Sequence, residues 1–172
     1  PAAGAAGVAS AGIALAEVRV QAQAERGPLT EHTGSYTTAQ SGTATPLGLS
    51  LRETPQSVSV ITRQRMEDQG LTQLADVAAQ TAGLVVSQAG NAGSDSSPIY
   101  SRGFRVDTYM VDGVLQLDSN YTDIFQTNDM AMFDRVEVVR GATGLMNGLG
   151  TPGAAINLIR KRPTADFQAA VR

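Results

Sequence analysis

The chain has 172 residues, of which 42% are apolar but only 5% aromatic, and 18 are glycine. This length suits one compact domain with a flexible segment, and the many small side chains predict a light, loop-rich α/β domain. A formal net charge of −3 argues against a broad basic surface for nucleic acid, and the absence of cysteine excludes disulfides and thiolate metal sites.

The histidine and the basic residues give no sign of a catalytic or metal site. His32 is the one histidine and stands in a polar stretch without periodicity, which predicts an exposed loop residue rather than a zinc ligand. Residues 160–162 form the one basic cluster, interpreted as a solvated chain end beside Pro163. No segment approaches the roughly 20 apolar residues that a membrane-spanning helix requires.

The first 49 residues are rich in Ala, Gly, Thr, Ser and Gln. This composition buries too little surface to offset the entropy of ordering, so residues 1–49 are predicted to form a flexible N-terminal arm. Within the arm, residues 15–22 place Val18 and Val20 in the alternation of a short strand, and such segments often join the sheet edge of a partner. Residues 1–16 fit either a signal-peptide remnant or a plain leader.

A strand and two short helices are predicted to open the domain. Residues 57–61 alternate at period two, as a half-buried strand does. Capping residues and glycines then predict one helix that begins after Thr62 and stops at Gly70, and a second that begins after Thr72 and stops by Gly83.

Five further strands follow, separated mostly by polar or glycine-rich stretches. The predicted strands are residues 84–86, 99–104, 109–114, 135–139 and 154–159. The predicted loops are residues 87–97, 115–128 and 141–153, with a helical turn at 129–133. This order predicts an α+β fold: a small mixed β-sheet with short helices and long polar loops, preceded by the arm.

Residues 148–153 match the dinucleotide-binding pattern G-x-G-x-x-G, which raises a nucleotide-binding enzyme as a hypothesis. The pattern requires a helix that opens at the third glycine, whereas residues 154–159 are β-patterned. We therefore interpret these glycines as tight turns between strands, where glycine tolerates positive φ. No catalytic residue is predicted.

Five sequence blocks resemble, in the same order, the signatures of the plug domains of TonB-dependent outer-membrane receptors. The blocks are Pro55-Gln-Ser-Val-Ser-Val-Ile-Thr62, Ser101-Arg-Gly-Phe104, Tyr109-Met-Val-Asp-Gly-Val114, Asp134-Arg-Val-Glu-Val-Val-Arg-Gly141 and Gly150-Thr-Pro-Gly-Ala-Ala-Ile-Asn-Leu158. The resemblance covers about residues 47–164, and residues 50–55 and 160–163 are most similar to the ferric-siderophore branch. Asn147 and Ala154-Ala155 depart from the residues usual in the family, which bears on local packing.

The resemblance implies a plug domain at residues 50–164, seated in the lumen of an outer-membrane β-barrel whose link begins at residues 165–172. It implies a receptor rather than an enzyme, with the arm facing the periplasm and the barrel, the TonB C-terminal domain and a ferric siderophore as partners. Since no barrel sequence follows, we expect the chain to be a piece of a longer protein. The implied TonB box comprises Leu15, Ala16, Glu17, Val18, Arg19, Val20, Gln21 and Ala22. By the same resemblance, Arg102 and Arg140 pair with glutamates of the barrel.

Loops that present polar and aromatic groups are expected to contact the ligand. A siderophore already fills the coordination sphere of iron, so no cofactor or protein metal ligand is expected. Tyr121 follows Gly113 by 8 residues, where similar hydroxamate-siderophore receptors carry a ligand-contacting tyrosine; the alternative is a tyrosine packed on its own loop. The other predicted contacts are Arg105, Asp107, Gln88, Asn91 and Asp95. Alternative ligands are cobalamin, haem or a glycan.

Overall fold

The computed structural model describes residues 29–45, 47, 49–88, 97–116, 129–143, 151–163 and 167. The elements in chain order are β1 (Ser57–Thr62), α1 (Arg63–Asp68), α2 (Leu74–Ala79), β2 (Val85–Val86), β3 (Ile99–Ser101), β4 (Phe104–Arg105), β5 (Thr108–Val111), β6 (Val114–Gln116), β7 (Phe133–Arg140) and β8 (Ala154–Arg160), with a 3₁₀ turn at Met130–Met132. Within these ranges no helix has the length and apolarity to cross a membrane.

The strands form two sheets, and the larger one is mixed, as predicted. Its five strands lie in the order β1-β7-β8-β5-β6, and a smaller sheet has the order β2-β3-β4. β5 and β8 run parallel, whereas β7 is antiparallel to both β1 and β8. β7 is therefore paired along both edges, and its polar side chains must find partners above or below the sheet.

The apolar core lies between one face of the larger sheet and the two helices. Alternate residues of a strand point to the same face, so β7 contributes Val136 and Val138 while β8 contributes Ile156 and Leu158. The other large side chains of this core are Ile61, Met66, Leu74, Val77, Ile99, Tyr109, Met130 and Phe133.

The first helix follows its prediction and the second begins one residue later than expected. The Thr62 side chain caps α1 by accepting from the Arg65 N–H at 3.4 Å, and Gly70 has a φ of 63°. Gln73, rather than Thr72, is the N-cap of α2. The reason is Asp76, whose carboxylate accepts from the backbone N–H groups of both Thr72 and Gln73, at 3.2 and 3.0 Å.

Two predicted strands are hairpins. Residues 99–104 divide into β3 and β4 at Arg102 and Gly103, whose φ values are 53° and 84°. Residues 109–114 divide into β5 and β6 at Asp112 and Gly113, with φ values of 49° and 80°. Two consecutive positive φ values are typical of the tight turns that match the twist of a hairpin. Apolar residues continue on both sides of each turn, so the sequence pattern predicted one continuous strand instead of a hairpin.

The predicted flexible arm ends earlier than residue 49 in the structure, because residues 29–45 pack against the second face of the larger sheet. We call residues 29–45 the N-terminal strap. Ser41, Thr43, Ala44 and Thr45 are buried there, and the strap donates hydrogen bonds to acidic side chains of β7. The prediction of a flexible arm rested on amino-acid composition, which carries no information on such specific polar contacts. Residues 1–28 lie outside the described part of the chain.

The Asp112-Gly113 turn gives a test of the β5–β6 hairpin. A Cβ on Gly113 would meet nothing within 4 Å, so Gly113→Ala should cost only the backbone strain of a positive φ, about 1–2 kcal/mol of unfolding free energy. Gly42→Ala is the matched control, because Gly42 is equally open but lacks a positive φ. Urea unfolding of both variants should show a loss for Gly113→Ala alone, and equal stabilities would contradict the turn assignment.

Candidate functional site

Arg102 and Arg140 lie close together where β3 and β7 end. The Nη1 atom of Arg102 lies 3.2 Å from the place a Cβ on Gly141 would occupy. Burial lowers the pKa of Arg140 below its usual value, and the nearby positive charge of Arg102 lowers that pKa further. Two positively charged side chains therefore lie at the same end of the domain.

Neutral groups hold the guanidinium of Arg140. Its nitrogens donate to Ser57 Oγ at 2.7 Å, Ser59 Oγ at 2.7 Å and the Ala82 carbonyl oxygen at 2.6 Å. A Cβ on Gly83 would lie 2.8 Å from Cδ of Arg140, so that glycine leaves room for the arginine stem. These acceptors carry no charge, so they leave the positive charge of Arg140 available to an anionic partner.

Three of the predicted ligand contacts lie on or next to strands of the smaller sheet, toward one of its ends. Arg105 is paired through β3 to β2, and its Nε lies 3.3 Å from Asp107 Oδ1 in a half-exposed ion pair. At the same end the Ser87 N–H donates to the Pro98 carbonyl oxygen at 3.0 Å, which places the exposed Gln88 beside these strands. The Arg102 turn lies at the opposite end of the same sheet.

The other predicted site residues belong to segments that the structure does not describe. Tyr121, Asn91 and Asp95, together with the predicted TonB box at residues 15–22, lie outside the described residues. Their roles stay predictions.

The glycine-rich pattern lacks the structure that a dinucleotide site requires. Residues 154–160 form the strand β8, so no helix follows Gly153. A Cβ on Gly153 would lie 3.3 Å from the Phe104 carbonyl oxygen. Close approach of β4, rather than a positive φ, therefore explains this glycine, and Gly148 and Gly150 lie outside the described part.

Sequence reasoning missed a buried acidic site on the second face of the larger sheet. Glu137 is fully buried, and its Oε2 accepts from Ser41 Oγ at 2.5 Å and from Thr43 Oγ1 at 2.6 Å. Its Oε1 accepts from Arg135 Nε at 2.7 Å, and Asn157 Nδ2 donates to Thr43 Oγ1 at 2.8 Å. The sequence feature that could have indicated this site is the pair Arg135 and Glu137. These charged residues alternate in β7 with the core residues Val136 and Val138, and therefore point to the opposite face of the sheet.

A cavity of about 660 Å³ lies between the strap, this polar face and the chain that follows β8. At its rim Arg160 Nε lies 2.5 Å from Asp112 Oδ2. Burial alone raises the pKa of Asp112, but hydrogen bonds from Arg160 outweigh that effect and lower it. Lys161 lies 2.9 Å from Glu31 Oε1, so the predicted solvated basic cluster is in part paired within the domain.

Comparison with known proteins gives consistent matches. A family model described as the TonB-dependent receptor plug domain matches residues 50–155. The ferric-pyoverdine BN7/BN8 receptor of Pseudomonas putida is 54% identical over 148 residues, which are 84% of this chain and 17% of that receptor.

Two solved structures share the fold. The ferripyoverdine receptor of Pseudomonas aeruginosa, bound to ferripyoverdine, matches with a TM-score of 0.74 at 46% identity, over 81% of this chain and 18% of that one. The alcaligin outer-membrane receptor FauA from Bordetella pertussis matches with a TM-score of 0.71 at 48% identity, over 81% of this chain and 24% of that one. The chain spans less than a fifth of the length of three curated pyoverdine receptors that it matches.

The contact between Arg140 and Gly83 can be measured with a double-mutant cycle. Gly83→Ala should cost at least about 1 kcal/mol more than Gly70→Ala, because both glycines have positive φ but only Gly83 touches another side chain. Arg140→Ala should remove this excess in the double variant. Additive losses in chemical denaturation would show that the arginine stem does not lie on Gly83.

Proposed function

Since the chain belongs to the family of TonB-dependent receptor plug domains, we propose that it is the plug of an outer-membrane receptor that imports a ferric siderophore. The single observation that carries this proposal is the plug-family match over residues 50–155. Relatives at 54%, 47% and 46% identity are all named as pyoverdine receptors, which favours a chelate of that kind. The hydroxamate class inferred for Tyr121 stays a prediction, and cobalamin, haem or a glycan are less favoured ligands.

The smaller sheet supplies part of the proposed ligand surface. Gln88 offers an amide, and the Arg105–Asp107 pair offers both charges at side chains that are 35% and 48% exposed. These groups suit the polar periphery of an organic chelate, which already surrounds the iron and leaves it no open coordination position. Tyr121, Asn91 and Asp95 complete the proposed surface from the loops.

The arginine pair is proposed to seat the plug in its barrel. The positive charge of Arg102 lies near that of Arg140, whose acceptors are neutral, so glutamates of the barrel wall would be favourable partners. An ion pair with the barrel would relieve the repulsion between the two arginines, of which Arg102 is exposed and Arg140 half-buried in this domain. The plug would then close the lumen until transport displaces part of it.

The strap shows at which end of the larger sheet the proposed arm joins the domain, and we propose from the family resemblance that this arm faces the periplasm. Thr30 binds Asp134 near the beginning of β7, and Glu31 lies against Lys161 just after β8. The arginine pair lies where β7 ends, so the segment that precedes residue 29 joins the domain at the opposite end of the sheet. We propose that TonB pairs there with residues 15–22 through main-chain hydrogen bonds.

Ligand contact can be tested by NMR with gallium chelates, since Ga³⁺ has the charge of Fe³⁺ and no unpaired electrons. Gallium pyoverdine at millimolar concentration should shift the signals of Gln88, Arg105, Asp107 and Tyr121, weakly because the barrel is absent. Tyr121→Ala should reduce these shifts at least about threefold. Tyr36→Phe is the control, because Tyr36 is half-exposed on the strap, where its hydroxyl binds Asp68.

Gallium ferrioxamine B, cobalamin and haem complete this panel of ligands. If only cobalamin or haem shifted these NMR signals, that compound rather than a siderophore would be the ligand. The absence of any localised shift with every ligand would contradict a ligand surface on this chain.

Pairing with TonB can be tested by calorimetry with the TonB C-terminal domain. Replacing both Val18 and Val20 by proline removes two main-chain donors and should abolish binding. Replacing both by threonine keeps the donors and the β-branched shape and should preserve binding within about threefold. Equal affinity of the proline variant and the unaltered chain would refute strand addition at residues 15–22.

A further inference from the structure

The first two polar residues of the strap converge on one buried carboxylate. Asp134 is fully buried. Its Oδ1 accepts from the Glu31 N–H at 2.7 Å and the Thr30 N–H at 3.0 Å, while its Oδ2 accepts from Arg135 Nη1 at 3.0 Å. Two backbone donors of the strap are therefore held by a single charged group, and charge-assisted hydrogen bonds are the stronger kind.

Thr30 and Glu31 also connect three separate elements. The Thr30 hydroxyl donates to the Asp134 carbonyl oxygen at 2.9 Å and accepts from the Arg63 N–H at 3.0 Å, which joins β7 to the start of α1. Glu31 reaches Lys161 beyond the end of β8 at 2.9 Å. The strap thus begins at a junction of the first helix, the central strand and the chain after the last strand.

The position of Asp134 in β7 suits it to this role. The register of β7 with β8 shifts between Phe133 and Arg135, so Asp134 has no paired residue on β8. From Arg135 onward the strand is paired regularly with both β1 and β8, and before the irregularity Phe133 pairs with Arg160 of β8. A load applied to the carboxylate is therefore passed to the best-paired strand of the domain.

The remaining attachments of the strap come later along the chain. Ser35 accepts from the Thr62 hydroxyl at 2.7 Å, Tyr36 donates to Asp68 at 2.7 Å, and Ser41 and Thr43 bind Glu137. Tension that enters from the segment before residue 29 must break the contacts at Asp134 before it reaches any of them.

We propose that Asp134 is the mechanical anchor of the N-terminal strap: it sets the load at which the domain begins to open from its N-terminal side. The pulling role rests on the proposed function, in which TonB draws on the preceding arm. Once Thr30 and Glu31 leave Asp134, the strap peels in chain order as far as Glu137, which uncovers the polar face and the adjoining cavity.

Hydrogen exchange of the full chain tests the anchor without TonB or ligand. Asp134→Asn keeps the size of the side chain but removes its charge and turns one acceptor into a donor. The Thr30 and Glu31 amides should exchange at least about tenfold faster, while the amides of β7 and β8 change less than about twofold. Asp107→Asn makes the same chemical change at an exposed site and should leave both regions unaltered.

A second variant separates a loosened strap from a damaged strand. Thr30→Val removes the hydroxyl bridge but keeps Asp134 and its contact with Arg135. It too should raise exchange at residues 30 and 31 without affecting β8. Unchanged exchange at these residues in both variants, or an equal rise across the strap and the sheet with Thr30→Val, would overturn the anchor.

Single-molecule pulling measures the load itself. Because the chain contains no cysteine, Gln23→Cys and Phe167→Cys give unique handles. The first rupture should occur at lower force in Asp134→Asn than in the unaltered chain or in Asp107→Asn. An unchanged first rupture force would refute the anchor, even if the ligand and TonB predictions hold; conversely, a confirmed anchor does not depend on either of them.

Discussion

Two carboxylates buried on the central strand determine how the rest of this domain is covered. An ionised group away from water is costly unless charged or hydrogen-bonding partners surround it. Arg135 supplies one donor each to Asp134 and Glu137, and β7 is paired on both edges, so the other donors must come from above the sheet. The strap supplies them with hydroxyl and backbone groups, and a segment poor in large apolar residues becomes part of the folded unit.

The opposite end of β7 has the reverse electrostatic character. Asp134 and Glu137 find hydrogen-bond donors within the domain, whereas neutral acceptors hold the guanidinium of Arg140, which lies near the positive charge of Arg102. Repulsion between two guanidinium groups is tolerated when an external anion relieves it, which agrees with the proposed seat inside a larger protein. At the start of β7 the domain's own strap satisfies the buried charges. At the end of β7 the arginines are suited to an anionic partner.

The fold was predictable where one residue pattern had one meaning. The alternation of apolar and polar residues predicted β1, β7 and β8. The cap at Thr62 and the glycine at position 70 predicted the two ends of α1. The order of the elements predicted a mixed sheet. The hairpins at Arg102 and Asp112 were missed because apolar residues continue through the turns. Three predicted ligand contacts, Gln88, Arg105 and Asp107, lie on or next to strands of the smaller sheet, although their function stays a prediction.

The sequence by itself determined the family and the local structure of β1, α1, β7 and β8, because capping residues, alternation and the five ordered blocks are patterns among neighbouring residues. Only the tertiary structure decided what Glu137 and Asp134 bind, since their partners at Thr43 and Thr30 lie 94 and 104 residues away along the chain. A short polar segment has no intrinsic preference that distinguishes a free arm from a strap. That choice depends on whether a buried charge elsewhere in the fold requires its hydrogen-bond donors.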